Sequence, residues 1–308
     1  MKVQYSAVLL LLLAFASPGV MAEPRQLNIG GVARSYDLHV PAEVGKTGRA
    51  VALVIALHGG SGTGAQIRKQ LQLDRVADRE GFVVAYPDSL GSRWARRWND
   101  GRVFADRRLA GPEPDDVAFV RALVKEIATT IPIDPARVFV TGVSNGGMMS
   151  FRLACEASDV FAAVATVVAQ FPTELVGACK PQQLFGVLML TGTADPMVPF
   201  TGGPIGGKGE RGTVVSADET FALLRRLNGC QDAAKAAERR GAIEIVGAGD
   251  VCGGGRRAWH YRMNGAGHQI PLRAATRQPL IERWLGPRNT DVEAAEEIWT
   301  FFAGQARK

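Results

Sequence analysis

One stretch constrains this chain more than any other. Arg137-Val138-Phe139-Val140-Thr141-Gly142 runs without interruption into Val143-Ser144-Asn145-Gly146-Gly147 and then into Met148-Met149-Ser150. A β-branched and aromatic run, a glycine-flanked serine and a helix-forming tail read as strand, sharp turn and helix. A strand followed at once by a helix belongs to a parallel sheet, in which the helix returns the chain across one face. The same alternation continues along the sequence. Strands are predicted at Ser35–Val40, Val51–His58, Phe82–Tyr86, Arg137–Gly142, Phe161–Val168, Gly186–Thr191 and Arg257–Met263. Helices are predicted at Gly64–Arg79, Asp115–Thr129, Asn145–Glu156, Ser216–Leu227 and Val292–Ala303. The expected architecture is a mostly parallel sheet with helices on both faces. Hydrophobic content of 46% is enough for a large core, and no repeat or low-complexity linker divides the chain, so residues 23–308 are expected to form a single α/β domain.

The turn also carries chemistry. In Gly142-x-Ser144-x-Gly146 the small neighbours present the serine hydroxyl at the apex of the turn. A serine hydroxyl needs a base, and the chain has only four histidines. His39 and His260 lie within predicted strands, and His58 ends one in Leu57-His58-Gly59-Gly60, where donation to nearby backbone is its expected role. His268 stands in the loop Gly265-Ala266-Gly267-His268 after the last predicted strand and is the candidate base. Asp195 follows the strand ending at Gly192 and lies between serine and histidine, where an orienting acid is expected; the competing reading is an Asp-Pro turn cap. Asp218 and Glu219 read as first-turn helix residues. Main-chain N–H groups of Asn145 and Gly60 are the candidate donors to a developing oxyanion. Together these residues predict acyl transfer.

The first 22 residues read as a signal peptide: Lys2, an apolar run from Ala7 to Phe15, then Val20-Met21-Ala22 before cleavage. Nine apolar residues are too few to span a bilayer, so a secreted or periplasmic protein with no membrane partner after cleavage is expected. In an oxidising compartment Cys155, Cys179, Cys230 and Cys252 imply two disulfides with three possible connectivities. The local pairs Cys155–Cys179 and Cys230–Cys252 are preferred over the others and over four separate thiols. No cysteine or histidine spacing suits a metal, and no metal is expected. Gly202–Lys208 nearly satisfies a phosphate-loop pattern, but Gly209 replaces the required hydroxyl residue; it is read as a loop beside Asp195.

Positive charge is concentrated. The chain is net +6, yet Arg93–Arg108 holds +4 and Gly253–Arg288, around His268, holds +6. The decapeptide RWARRWNDGR at residues 93–102 lies in the long link between Tyr86 and Asp115. Arginines with aromatics hold anions, so Arg96, Arg97, Trp98, Asn99 and Arg102 are candidate substrate-rim residues. The link from Val168 to Gly186 is too short for a helical cap domain, which leaves room for a bulky substrate.

The stretches LHGGSGTG, YPD, WNDGR, DDVAFV, GVSNGGMMS, GTADPMVPF and GAGHQIP resemble the polyhydroxybutyrate depolymerase and feruloyl esterase group of α/β-hydrolases, from Arg34 to about Pro271. Within these stretches Ile270 stands where the family often has an aromatic residue. The resemblance implies an α/β-hydrolase fold without a large cap domain. It also implies a secreted serine hydrolase that uses Ser144, Asp195 and His268 on carboxylic esters without a cofactor. No polymer-binding domain follows, so oligomeric or soluble esters are expected ahead of crystalline polyester. Poly(aspartic acid) hydrolases resemble the same family, which gives the alternative of amide cleavage in an anionic polymer lying in an arginine-lined groove. A third reading is a non-catalytic polyanion binder. Nucleic acid is not an expected partner, and the sequence does not fix an oligomeric state.

Overall fold

The computed structural model describes residues 24–46, 48–92, 95–103, 114–207, 210–231, 238–273 and 276–307. Its strands, in chain order, are β1 (Arg25–Ile29), β2 (Val32–His39), β3 (Val51–Leu57), β4 (Val83–Pro87), β5 (Ile133–Val143), β6 (Ala163–Val167), β7 (Gly186–Gly192), β8 (Gly203–Pro204), β9 (Thr213–Val214), β10 (Glu238–Arg240), β11 (Ile243–Val246) and β12 (Ala258–Met263). Ten of them form one sheet in the spatial order β1-β2-β4-β3-β5-β6-β7-β12-β11-β10. From β4 through β12 every neighbouring pair is parallel, and antiparallel strands close both edges. This is the α/β-hydrolase architecture expected from the sequence. The edge strands β1, β10 and β11 have no counterpart in the sequence reading, because each is only three to five residues long and β1 and β10 are mostly exposed.

Alternate residues of the central strands enter two separate cores, as a two-residue period requires. On β3, Leu53, Ile55 and Leu57 face one core and Ala52, Val54 and Ala56 the other. Seven α-helices, α1 (Gly64–Leu71), α2 (Leu73–Glu80), α3 (Asp116–Thr130), α4 (Asn145–Glu156), α5 (Ala217–Leu227), α6 (Pro279–Leu285) and α7 (Ala294–Ala303), lie among the described residues. Helices α3, α4 and α5 cover the first face through Phe119, Phe151 and Leu224. Helices α1, α2 and α7 cover the second through Ile67, Val76 and Phe302. Local signals set the helix starts. Thr63 accepts from Gln66 N–H, Asp115 accepts from Ala118 N–H, and Ser216 with Glu219 forms a reciprocal capping box.

Several details differ from expectation. The segment Gly64–Arg79 is two helices, because Gln72 adopts a left-handed conformation (φ 56°) that caps α1 and starts α2. Glutamine is not a residue that announces such a break. Near Asp195, β8 and β9 pair as a small antiparallel ribbon where the sequence predicts a loop. The additional short helix α6 has no buried residue and leaves no periodic signal.

The link from β6 to β7 contains one 3-10 turn, Thr173–Leu175, and no helical cap. A disulfide between Cys179 on this link and Cys155 in the last turn of α4 ties it down. A second joins Cys230, after α5, to Cys252, before β12. Among the described residues no helix is long and apolar enough to cross a membrane.

Candidate active site

The turn between β5 and α4 places Ser144 at φ 55°, ψ −119°, a conformation that non-glycine residues rarely adopt. Its neighbours hold it there. Ser144 N–H donates to Val167 O at 2.9 Å, and Ser144 O accepts from Met148 N–H at 2.9 Å. The flanking glycines are required by contact. A Cβ at Gly142 would lie 2.2 Å from Gly146 O, and one at Gly146 would lie 2.4 Å from Leu57 O. Strand, turn and helix therefore pack backbone on backbone, and the serine is carried beyond the carboxyl end of the sheet.

Two loops from neighbouring strands converge on it. His268, after β12, brings Nε2 to 2.9 Å from Ser144 Oγ. Its main-chain N–H donates to Leu285 O at 2.5 Å, at the end of α6. Asp195, after β7, brings Oδ2 to 2.7 Å from His268 Nδ1. Its other oxygen accepts the N–H groups of Met197 and Val198, both at 2.8 Å. The turn-capping and histidine-orienting readings of Asp195 are thus compatible, one carboxylate oxygen serving each. The Asp195 side chain is 1% exposed and that of His268 12%, so solvent competes little for the contact. A carboxylate at Nδ1 fixes the proton there and leaves the Nε2 lone pair toward the hydroxyl.

The loop after β3 reaches the same point. A Cβ at Gly59 would lie 3.6 Å from Ser144 Cβ, whereas one at Gly60 would meet open space. The loop carrying Gly60 thus approaches the serine through Gly59, and Asn145 follows Ser144 directly. As the first helical residue of α4, Asn145 has an N–H with no acceptor inside its helix. His58 stabilises this loop as expected. Ser89 N–H donates to its Nε2 at 3.0 Å, and its Nδ1 donates to Gly59 O at 2.7 Å. Burial pushes its pKa down to about 4, so it is a neutral structural group. His260 is fully buried beside Thr191 Oγ1 at 2.7 Å, with its pKa lowered to about 3 by desolvation; His39 pairs with Asp78 at 2.8 Å. Neither reaches Ser144.

Of the expected arginine-aromatic rim, Trp98 and Arg102 are the members that the structure corrects. Trp98 is fully buried, its indole N–H donating to His58 O at 2.9 Å. Asn99 is half-buried, with its side-chain amide on Pro114 O. Arg102 has a side chain only 5% exposed, in an ion pair with the fully buried Asp100 at 2.6 Å. Trp98 and Arg102 are thus engaged inside the fold, Trp98 with His58 and Asn145 and Arg102 with Asp100. Arg96 and Arg97 are half-buried, and the Arg96 carbonyl accepts Ser61 N–H at 2.7 Å. Arg93 and Trp94 lie outside the described residues, as do residues 1–23, 107 and 108.

The second basic segment is also largely committed. Arg256 is buried against the carbonyls of Gln305 and Ala306, and Arg262 pairs with Asp218. Arg277 pairs with Glu282, and Arg288 donates to Ile270 O and Gln269 Oε1. Counting charge along the chain missed that Arg256 and Arg288 serve carbonyl oxygens of the fold and that Arg262 and Arg277 have carboxylate partners, the Arg277 pair lying at the surface. Sequence reasoning also missed Asp100, whose burial nothing in WNDGR announces, and α6, which presents Leu280 and Trp284 at 81% and 75% exposure close to the His268 loop.

Comparisons with known proteins place the chain among esterases. The family model described as esterase PHB depolymerase matches residues 34–179. "Putative esterase NocK" of Nocardia uniformis subsp. tsuyamanensis is 31% identical over 296 residues, covering 91% of this chain and 82% of the relative. Feruloyl esterase B of Piromyces equi is 32% identical over 223 residues, 71% of this chain, which spans only 40% of that protein's length. Among solved structures, the acetyl xylan esterase from Aspergillus awamori superimposes with a TM-score of 0.56 over 85% of this chain and 98% of that one. At 16% identity that likeness speaks for the fold alone. The chain belongs to the polyhydroxybutyrate depolymerase and feruloyl esterase-like family of α/β-hydrolases, and it is a carboxylic ester hydrolase.

Proposed function

We propose that this protein is an exported serine esterase that cleaves oligomeric or polymeric carboxylic esters through an acyl-enzyme on Ser144. The observation that carries the reading is the continuous chain Ser144 Oγ, His268 Nε2, His268 Nδ1, Asp195 Oδ2, with contacts of 2.9 and 2.7 Å, on a serine at φ 55°. His268 Nε2 takes the Ser144 proton as Oγ adds to the ester carbonyl carbon. The carbonyl electron pair moves onto oxygen, which the N–H groups of Asn145 and Gly60 receive. Collapse breaks the ester C–O bond, and the departing alcohol takes the proton from His268. Water then repeats the sequence on the acyl-enzyme, releasing the acid and restoring Ser144. The Asp195 carboxylate stabilises the imidazolium as it forms.

The uncapped β6–β7 link supports access for a bulky ester, and the exposed Leu280 and Trp284 of α6 give the histidine side an apolar border. The alternative, amide cleavage in an anionic polymer, has less behind it because Arg102, Arg256, Arg262 and Arg288 are engaged with carbonyl and carboxylate groups of the fold. Two disulfides support export to an oxidising compartment. The test is a hydrolysis panel of short aryl esters, hydroxybutyrate oligomers, feruloyl esters and poly(aspartate), each with a Ser144→Ala control. Ester turnover that vanishes in Ser144→Ala is expected; poly(aspartate) as the best substrate would replace this reading with the alternative.

A further inference from the structure

The segment from Arg96 to Arg102 touches both sides of the oxyanion hole. On the β3 side, the Arg96 carbonyl accepts Ser61 N–H at 2.7 Å and the Trp98 indole N–H donates to His58 O at 2.9 Å. On the α4 side, Trp98 N–H donates to Asn145 Oδ1 at 2.8 Å. Asn145 Nδ2 donates to Trp98 O at 3.1 Å and to Asp100 Oδ2 at 2.6 Å. Arg102 completes the arrangement, with Nε 3.0 and 2.9 Å from the two Asp100 oxygens and a terminal nitrogen 2.6 Å from Oδ2. Asp100 is fully buried, and Trp98 and Asn145 are at most 5% exposed.

We infer that Asn145, Asp100 and Arg102 are positioning residues for ester hydrolysis: a buried frame that sets the direction of the Asn145 main-chain N–H relative to the Gly60 loop and cancels a carboxylate charge beneath the oxyanion. The inference rests on Ser144 being the nucleophile. Connectivity supplies the directing role. The Asn145 side chain uses both its acceptor and its donor on one segment, and that segment is fastened to the loop carrying Gly60. The donors' separation is therefore fixed by side chains that never meet the substrate. Charge supplies the second role. An unneutralised carboxylate beneath a developing oxyanion would repel it and slow its formation. Arg102 is the group that prevents this. An aspartate side chain at position 145 would set two carboxylates together, and a glutamine side chain would push the amide one methylene too far.

The experiment compares Asn145→Ala, Arg102→Gln and the double variant Asp100→Asn/Arg102→Gln with the parent enzyme. Each is assayed for kcat and KM on a soluble aryl ester, for inhibition by a trifluoromethyl ketone that adds to the serine as an oxyanion, and for Tm. Removing one oxyanion donor costs ~10²–10³ in kcat, so misdirecting one should cost about 10–100-fold. Asn145→Ala and Arg102→Gln are expected to lose that much in kcat with KM within about threefold, and to weaken the ketone in proportion to kcat/KM. The double variant is expected to recover most of the Arg102→Gln loss, because the charge is gone while the amide oxygen introduced at position 100 still accepts from Asn145. A merely structural frame would lower Tm without this parallel. Asn145→Ala leaves the Asp100–Arg102 pair intact and tests the tether even if the charge variants do not fold. Folded Asn145→Ala with unchanged kcat, or a kcat loss without weaker ketone binding, would overturn the inference. So would a folded double variant no better than the Arg102→Gln single. Fluorophosphonate labelling keeps the two readings apart: a labelled Ser144 with these negative results removes only the frame, whereas label at another residue removes the nucleophile assignment itself.

Discussion

Substituting Gly142 with alanine adds one methyl group at the tightest point of the serine turn. That carbon would lie 2.2 Å from Gly146 O, 2.3 Å from Gly146 C and 2.8 Å from Gly147 N. All three are main-chain atoms, so no side-chain rotation relieves the clash. Reaching an ordinary contact above ~3 Å needs α4 or β5 to move by about 1 Å, and overpacking of this kind costs about 1–3 kcal/mol. For a domain of this size that lowers Tm by roughly 2–6 °C. The functional loss should be larger in proportion, because a ~1 Å displacement of a reacting group can cost ~10²-fold in rate. Gly177→Ala is the matched control, since a Cβ there meets nothing within 4 Å. The assay is kcat/KM on a soluble aryl ester together with thermal unfolding of both variants. A Gly142→Ala enzyme with parental Tm and activity within about twofold would refute the packing argument for the turn.

Other outcomes follow from the same structure. Asp195→Asn should fold normally and lose about 10⁴-fold in kcat, because an amide at Nδ1 no longer holds the required tautomer; stopped assays against the parent check this. Removing either disulfide by a Cys-to-Ala pair, over sequence separations of 24 and 22, should cost about 3 kcal/mol in denaturant unfolding. Stability should fall with pH below ~6.5. The folded protein keeps His58 neutral down to about 4, whereas the unfolded chain takes up the proton near the ordinary value of 6.5, so acid favours unfolding across that window. The full effect of this one group is about 3 kcal/mol, buried His260 adds to the same window, and a His58→Gln variant should show a flatter pH dependence of the denaturation midpoint.

How far the sequence could be read depended on whether a residue's neighbours in space were also its neighbours in the chain. The serine turn is local: strand, glycines and helix are contiguous, and Asn145–Glu156 is a helix with the bounds expected. The central strands announced themselves because burial on both faces produces unbroken apolar runs, as in Val51–Leu57. Asp195 and His268 could be chosen because strand ends in such a sheet converge on one edge, and the structure brings both to Ser144. The Arg96–Arg102 segment failed for the opposite reason. An arginine reads as a surface charge until its partner is known, and the partners of this segment include His58, Ser61 and Asn145, 35 to 47 residues away, and Arg211, 109 residues from Arg102, along with Asp100 two residues before Arg102. The break at Gln72 had no signal at all, since a left-handed glutamine is imposed by packing and not by preference.

The central claim is that ester hydrolysis passes through Ser144. Incubating the purified enzyme with an aryl ester whose acyl group deacylates slowly, quenching in acid and mapping peptides by mass spectrometry tests it most directly. The account predicts one acyl group per chain on the peptide containing Gly142-Val143-Ser144-Asn145-Gly146, absent in Ser144→Ala and accumulating before steady-state release of acid. Acyl transfer to another residue, or full turnover by Ser144→Ala, would contradict it.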